Sequence, residues 1–373
     1  MSSNFFEKLI KYRGDQYAEA EDKARDILHR ALDGDIPTYE ELSYLATLQG
    51  FGNNLAIFRT ARKICELHFG RKIFLYGFVY FSTYCRNSCT FCFFRKANND
   101  IPRYRKSLHE VVEIVAELEN SGVHLVDLTM GEDSLIHEKK GSKLLLDICE
   151  IIKKEFKVSL MVSPGVLNRE ALSKLGNLGA DWYALYQETH NRVLFSKLRK
   201  GQDYDERMEA KVNAAREGLL VEEGILLGVG ETPHDIVDSS FEMKRLGAHQ
   251  VRAMGFAPRA EIPLGCFAPP IIYEMKAIAL LRLTHQDRII PASCDIDGAR
   301  NLEARFMAGA NAVTSLIPPG FGLMGVAQTC LNIDNGLRTV DGIKPHLKSM
   351  GLEPADRKTY RRWIDSKKES LRR

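Results

Sequence analysis

The sequence predicts an α/β protein: a (β/α)8 barrel of the TIM type, with a helical extension before it and a helical tail behind it. From Lys72 onward, short β-rich apolar runs alternate with longer amphipathic ones, the rhythm of parallel strands linked by crossover helices. Eight such units occupy roughly 270 residues, near the ~250 that such a barrel uses. The composition, 45% apolar and 27% charged over 373 residues, is ordinary globular usage and is ample for a large core. A doubly wound open sheet is the alternative, because strand number alone does not prove closure.

Taken in order, residues 1–70 read as an N-terminal helical extension. Ala24, Ile27, Leu28 and Leu32 recur at helical spacing, and Gly34-Asp35 and Gly50-Phe51-Gly52 break the pattern. Thr38 with Glu41 has the form of a capping box. Residues 71–340 carry the barrel. Its strands are expected over Ile73–Tyr80, His124–Met130, Val158–Val162, Trp182–Tyr186, Glu223–Leu227, Gln250–Met254, Arg288–Pro291 and Ala312–Leu316. Helices are expected between most of them, over Leu108–Asn120, Lys143–Phe156, Tyr204–Glu217, Asp235–Leu246, Tyr273–Leu283 and Ala299–Ala308. Residues 341–373 form a C-terminal helical tail, and its basic end, 357–373, reads as a solvated helix.

With 52 basic and 49 acidic residues, the net charge is +3. That balance argues against a nucleic acid or an anionic membrane as partner. No apolar run approaches the ~18–20 residues of a membrane span, and the longest, Ile73–Phe81, is one buried strand long. Met1-Ser2-Ser3-Asn4 lacks the charged start and apolar core of a secretory signal. A cytoplasmic protein is expected.

Three of the eight cysteines crowd into Cys85-Arg86-Asn87-Ser88-Cys89-Thr90-Phe91-Cys92, directly after the first strand. Three thiolates on one short loop can converge on a metal centre, and soft ligands select zinc or an iron–sulfur cluster. Structural zinc wants four protein ligands, whereas Cys65, Cys149, Cys266, Cys294 and Cys330 are scattered singly. Three ligands on a four-iron cluster leave one iron open to a small molecule. In a barrel this loop opens at the C-terminal face, where active sites sit.

The C-x3-C-x2-C spacing, with an aromatic before the last cysteine, resembles the signature of the radical S-adenosylmethionine (SAM) superfamily. The resemblance implies a [4Fe–4S] cluster on Cys85, Cys89 and Cys92, whose open iron chelates SAM. It also implies reductive cleavage of SAM to a 5′-deoxyadenosyl radical, driven by a reductant such as flavodoxin or ferredoxin. Met130-Gly131-Glu132-Asp133 and Gly224-Ile225-Leu226-Leu227-Gly228-Val229-Gly230-Glu231 resemble two further elements of that superfamily. Tyr186-Gln187-Glu188-Thr189, followed by Lys197-Leu198-Arg199-Lys200, resembles its biotin synthase and hydrogenase-maturase branch. That branch implies Glu188, Arg199 and Ser163 as SAM contacts. Arg199 suits a charge-assisted pair with a carboxylate.

Strand alternation suggests what else faces the lumen. With Val126, Leu128 and Met130 turned to the helix layer, Asp127 and Thr129 point inward. Arg252 falls opposite Val251 and Ala253, and Ser293 and Asp295 share a face. Unpaired buried charge is costly, so Arg252 and Asp295 either pair with each other or meet a complementary ligand. Arg252 suits a carboxylate, and Asp127 and Asp295 suit two ammonium groups. That pattern fits a diamino acid such as lysine or ornithine. The same segments, with Tyr80-Phe81-Ser82-Thr83-Tyr84-Cys85, resemble the methylornithine synthase family of pyrrolysine biosynthesis over about residues 55–350. That likeness implies a mutase turning L-lysine into (3R)-3-methyl-D-ornithine by hydrogen abstraction, fragmentation and recombination. It also implies Asp127, Arg252, Ser293 and Asp295 as substrate contacts. Two alternatives stay open: a hydrogenase maturase or sulfur-inserting synthase of the same branch, and a non-enzymatic iron–sulfur protein. Carriers of that last kind normally ligate their cluster with four cysteines.

Overall fold

Strands covered by helices on one side and by lumen side chains on the other are buried on both faces, which is why they read as near-continuous apolar runs. The computed structural model, which describes residues 8–9, 11–137, 142–325 and 338–371, arranges eight of them in parallel. They are β1 (Lys72–Ser82), β2 (Leu125–Met130), β3 (Ser159–Ser163), β4 (Trp182–Ala184), β5 (Leu220–Leu227), β6 (Gln250–Gly255), β7 (Pro291–Ser293) and β8 (Ala312–Leu316). Neighbours follow the order β6-β5-β4-β3-β2-β1-β8-β7. The ring closes between β6 and β7: the Val251 N–H donates to Ile289 O at 3.0 Å, and the Ile289 N–H donates to His249 O at 3.2 Å. The open-sheet alternative is thereby excluded.

Three strands differ from the sequence reading in ways that matter below. β4 stops at Ala184 rather than Tyr186, because the chain leaves the ladder for a turn in which Glu188 takes a left-handed backbone, φ 69°. β5 starts at Leu220, three residues earlier than expected, and so takes Glu222 and Glu223 inside the sheet. β7 is displaced towards Ser293, with Ile289 making only a single bridge to Gln250.

The expected capping box at Thr38 is present, and Ser107 with Glu110 and Thr232 with Asp235 form two more at the starts of barrel helices. The N-terminal helix Phe51–Phe69 packs against the barrel helix Ile271–Thr284. There the Lys276 ammonium donates to Leu48 O at 2.6 Å and to Asn54 Oδ1 at 3.0 Å.

The basic C-terminal end is not simply solvated. A two-residue strand, β9 (Glu353–Pro354), pairs with the start of β1 and leads into the helix Arg357–Leu371. Tyr360 and Ile364 are buried. The Tyr360 ring lies 5.0 Å from Phe74 and 5.6 Å from His124, and its hydroxyl accepts the Trp182 indole N–H at 3.1 Å. Trp363 stacks on Trp182 at 5.9 Å. Asp181, buried at the start of β4, binds Arg361 and Lys368, each at 2.9 Å. The helix therefore seals the barrel's N-terminal end. Tyr360→Ala is expected to cost ~3–5 kcal/mol, the usual penalty for deleting a buried aromatic ring. Chemical denaturation measures this, and a loss below ~1 kcal/mol, the range of surface substitutions, would mean the helix is not part of the core.

Candidate active site

A cavity of about 260 Å³ opens at the C-terminal ends of the strands. All ten residues singled out from the sequence line it: Cys85, Cys89 and Cys92, then Ser163, Glu188 and Arg199, then Asp127, Arg252, Ser293 and Asp295. No described residue before Phe78 lines it, so the N-terminal helices contribute nothing to its described wall.

The cysteine loop sits where it does because the end of β2 makes room. A Cβ on Gly131 would stand 2.3 Å from Tyr84 O and 2.8 Å from Cys85 Cβ. The loop is pinned by the Arg86 N–H donating to Glu132 O at 2.9 Å and the Thr90 N–H donating to Leu198 O at 2.8 Å. Burial pushes the Cys85 and Cys92 thiols up, and the neighbouring Cys89 sulfur adds to both shifts. Among the described residues, no three Cys, His, Asp or Glu side chains close on a point tightly enough for one metal ion. The Gln202 amide donates to Cys89 Sγ at 3.0 Å and Arg199 Nη1 to the same sulfur at 3.7 Å. Such sulfur-directed donors tune cluster potentials. Cys65, Cys149 and Cys294 are buried as small core residues, and burial pushes the thiols of Cys149 and Cys294 up to about 12. Cys330 lies outside the described residues.

Beside the loop, Arg199 Nη2 donates to Glu188 Oε1 at 2.6 Å. Both side chains are nearly inaccessible. Burial raises the Glu188 carboxyl, with the Arg199 charge opposing it. Glu132 receives Arg207 at 3.1 Å and Arg86 at 3.3 Å.

Deeper in the lumen, the Arg252 guanidinium lies between the rings of Phe78 and Tyr186, at 5.9 and 5.5 Å. Its Nε donates to Glu222 Oε1 at 2.7 Å and its Nη1 to Thr314 Oγ1 at 3.3 Å, whereas Nη2 is buried with no partner. The Arg252–Asp295 pair considered from the sequence is absent. Asp295 instead receives Arg338 Nη1 at 3.1 Å and the Tyr80 hydroxyl at 3.1 Å. The Ser163 hydroxyl donates to Asp127 Oδ1 at 2.7 Å. The expected SAM contact and the expected substrate contact are therefore linked. Burial pushes the Asp127 carboxyl up to about 7; the Ser163 hydrogen bond opposes this and the Glu222 charge adds to it.

Comparison with known proteins agrees with this geometry. Residues 79–241 match the model of the radical SAM superfamily. The chain is 37% identical to 3-methylornithine synthase from Methanosarcina barkeri over 327 residues, 87% of this chain and 93% of that protein. The chain belongs to the radical SAM superfamily, in its methylornithine synthase family. A second relative, 3-methylornithine synthase from Methanosarcina acetivorans, is also 37% identical, over 85% of this chain and 90% of its own length. The crystal structure of methylornithine synthase superposes with a TM-score of 0.84 at 36% identity, covering 90% of this chain and 99% of that one. A radical SAM protein carries an iron–sulfur cluster and SAM, and the cysteine loop described above has the donors for the cluster.

Three residues of this radical SAM site, Glu222, Arg338 and Arg207, escape the sequence reading, and Tyr186 enters it only as part of a motif. Glu222 partners Arg252, Arg338 partners Asp295, Arg207 binds Glu132, and the Tyr186 hydroxyl donates to Glu222 Oε1 at 2.9 Å. Arg207 carried a usable signal: with Ala210, Lys211 and Ala214 it forms the buried stripe of its helix, and a charge on such a stripe needs a buried partner.

Proposed function

We propose that this chain is a radical SAM mutase converting L-lysine into (3R)-3-methyl-D-ornithine in pyrrolysine biosynthesis. The observation that carries the reading is one cavity lined jointly by the cysteine triad, the Glu188–Arg199 pair and the Asp127, Arg252, Ser293 and Asp295 set. Cys85, Cys89 and Cys92 hold the [4Fe–4S] cluster, and Glu188, Arg199 and Ser163 hold SAM. When bound, the pair supplies reductive cleavage of the sulfonium and the hydrogen-abstracting radical, with the electron coming from a donor such as flavodoxin or ferredoxin. In this reading residues 71–340 are the catalytic barrel, braced by 1–70 and 341–373.

The chain's own task is to hold charge and exclude water. Arg252 takes the substrate carboxylate with its unpartnered Nη2, and Asp127 and Asp295 face the two ammonium groups, with Ser293 beside them. Among the described residues at this end of the lumen, the carboxylates Asp127, Glu222 and Asp295 lie with the guanidiniums of Arg252 and Arg338. Anaerobic enzyme with reductant, SAM and isotopically labelled lysine tests the reading. Labelled methylornithine is expected, and 5′-deoxyadenosine without any rearranged amino acid would overturn it.

Asp127 makes this binding pH-dependent. Its ammonium partner needs the carboxylate, so lysine affinity is expected to rise about tenfold per pH unit below pH 7 and to level above it. Calorimetry in buffers of different ionisation enthalpy should show a proton released on binding at pH 6. The sign for stability is opposite. Folding raises this carboxyl from its ordinary 3.8 to about 7, so the folded state binds the extra proton and stability falls as pH rises through that window. Asp127→Asn removes that fall. It is expected to melt higher than the parent at pH 8 while losing lysine binding, and an unchanged melting temperature would contradict the burial argument.

A further inference from the structure

On β5, Glu222 and Glu223 point to opposite faces. Glu222 enters the lumen, and Glu223 enters the layer between the strand and the helix Tyr204–Arg216. There it forms an ion pair with Lys211, and both side chains are fully buried. A buried ion pair contributes little net stability, and well-packed apolar residues generally serve such an interface at least as well. Neither residue lines the cavity. Their hydrogen bonds, however, converge on one short segment. Glu223 Oε1 accepts the Gln187 N–H at 2.6 Å, and Lys211 Nζ donates to Gln187 Oε1 at 3.0 Å. The Gln187 amide donates in turn to Tyr204 O at 3.0 Å.

The residue after Gln187 is Glu188. Its backbone stands at φ 69°, a conformation costing a non-glycine residue about 1 kcal/mol or more. It is pinned in register by its N–H donating to Gly224 O at 3.0 Å and its O accepting the Leu226 N–H at 2.9 Å. Strained residues persist where the surroundings over-determine them. Here Gln187 is gripped at backbone and side chain by one buried pair, and Glu188 is thereby swung to Arg199 beside the cysteine loop. His190, fully buried 3.8 Å from Glu223, borders the same pair, and burial holds its ring well below its usual value, at about 4, so it stays neutral there.

We infer that Glu223 and Lys211 are positioning residues for SAM, fixing the Gln187–Glu188 turn so that the Glu188–Arg199 pair is preformed for the cofactor's charged end. The inference rests on the reading of Glu188 as a SAM contact. The test measures SAM and L-lysine dissociation constants by equilibrium dialysis on full-length, cluster-loaded protein without reductant, so that no turnover occurs. Glu223→Leu/Lys211→Met removes the grip and strands no charge. Its SAM affinity should fall about tenfold or more, the scale set by losing a few tenths of an ångström at a preorganised site. Lysine affinity, measured as the SAM-independent component, should stay within about twofold. Glu223→Gln/Lys211→Met restores an acceptor for the Gln187 N–H and should recover most of the SAM affinity, which a general loss of packing would not do. Unchanged SAM affinity in the Leu/Met protein overturns the inference, as does an equal loss for lysine. If that protein does not fold, Gln187→Ala decides, with about a threefold weakening of SAM expected for one lost hydrogen bond and no change overturning the proposal. Glu188→Gln is the separate control: if it binds SAM normally, the reading of Glu188 itself fails.

Discussion

Gly131→Ala is expected to hold iron far less tightly than the parent with all three cysteines in place. The added methyl would stand 2.3 Å from Tyr84 O and 2.8 Å from Cys85 Cβ, and neither neighbour is the loose end of a flexible side chain. The end of β2 or the start of the cysteine loop must move. The loop is held at two points by backbone hydrogen bonds from Arg86 and Thr90, so a shift at Tyr84–Cys85 tilts Cys85 relative to Cys89 and Cys92. Metal affinity is expected to fall by about 10–100-fold or more, as when groups orienting the ligands are lost. Anaerobic reconstitution followed by iron counting and visible absorption measures this. Cys89→Ala is the reference for complete loss. Comparing the melting temperatures of the iron-free Gly131→Ala protein and the iron-free parent separates loss of iron from loss of fold. A variant that binds four irons per chain as tightly as the parent would show that the close approach at Gly131 does not set the geometry of the triad.

The contrast between Gly131 and Glu222 explains how much was legible in the sequence. The cysteine triad is local, so its spacing survives without any knowledge of the fold. Asp127, Arg252, Ser293 and Asp295 were legible at one remove, because a strand's period of two assigns faces once its register is known. Glu222 was not. The expected strand begins at Glu223 and so leaves Glu222 outside it. Tertiary partners, Arg252 inside the lumen and Lys211 outside it, allow both to sit within the sheet. Arg338 had no pattern to announce it, since it reaches Asp295 from beyond β8 and belongs to no periodic element. The tail helix misled in the opposite way. Its basic composition hid Tyr360, Trp363 and Ile364 at helical spacing, the stripe that meets Trp182 and Phe74.

Replacing Arg252 tests whether this lumen is a charge clamp. Arg252→Ala alone is ambiguous: it leaves the fully buried Glu222 carboxylate with only the Tyr186 hydroxyl on Oε1, and breaking a buried pair costs about 3–5 kcal/mol. The double variant Arg252→Met/Glu222→Gln removes both charges at nearly constant volume, keeps an acceptor for Tyr186 and should melt within a few degrees of the parent. The substrate carboxylate would then lack the Arg252 guanidinium. Product formation from lysine is expected to fall about 10–100-fold, the value of a charge-assisted hydrogen bond. Formation of 5′-deoxyadenosine should fall far less, because Arg252 and Glu222 make no hydrogen bond to the Glu188–Arg199 pair or to the cysteine loop. The ratio of methylornithine to 5′-deoxyadenosine is therefore the decisive quantity. It falls if the clamp keeps the rearranging substrate in register, and a ratio equal to the parent's, at whatever overall rate, would mean that Arg252 serves folding alone.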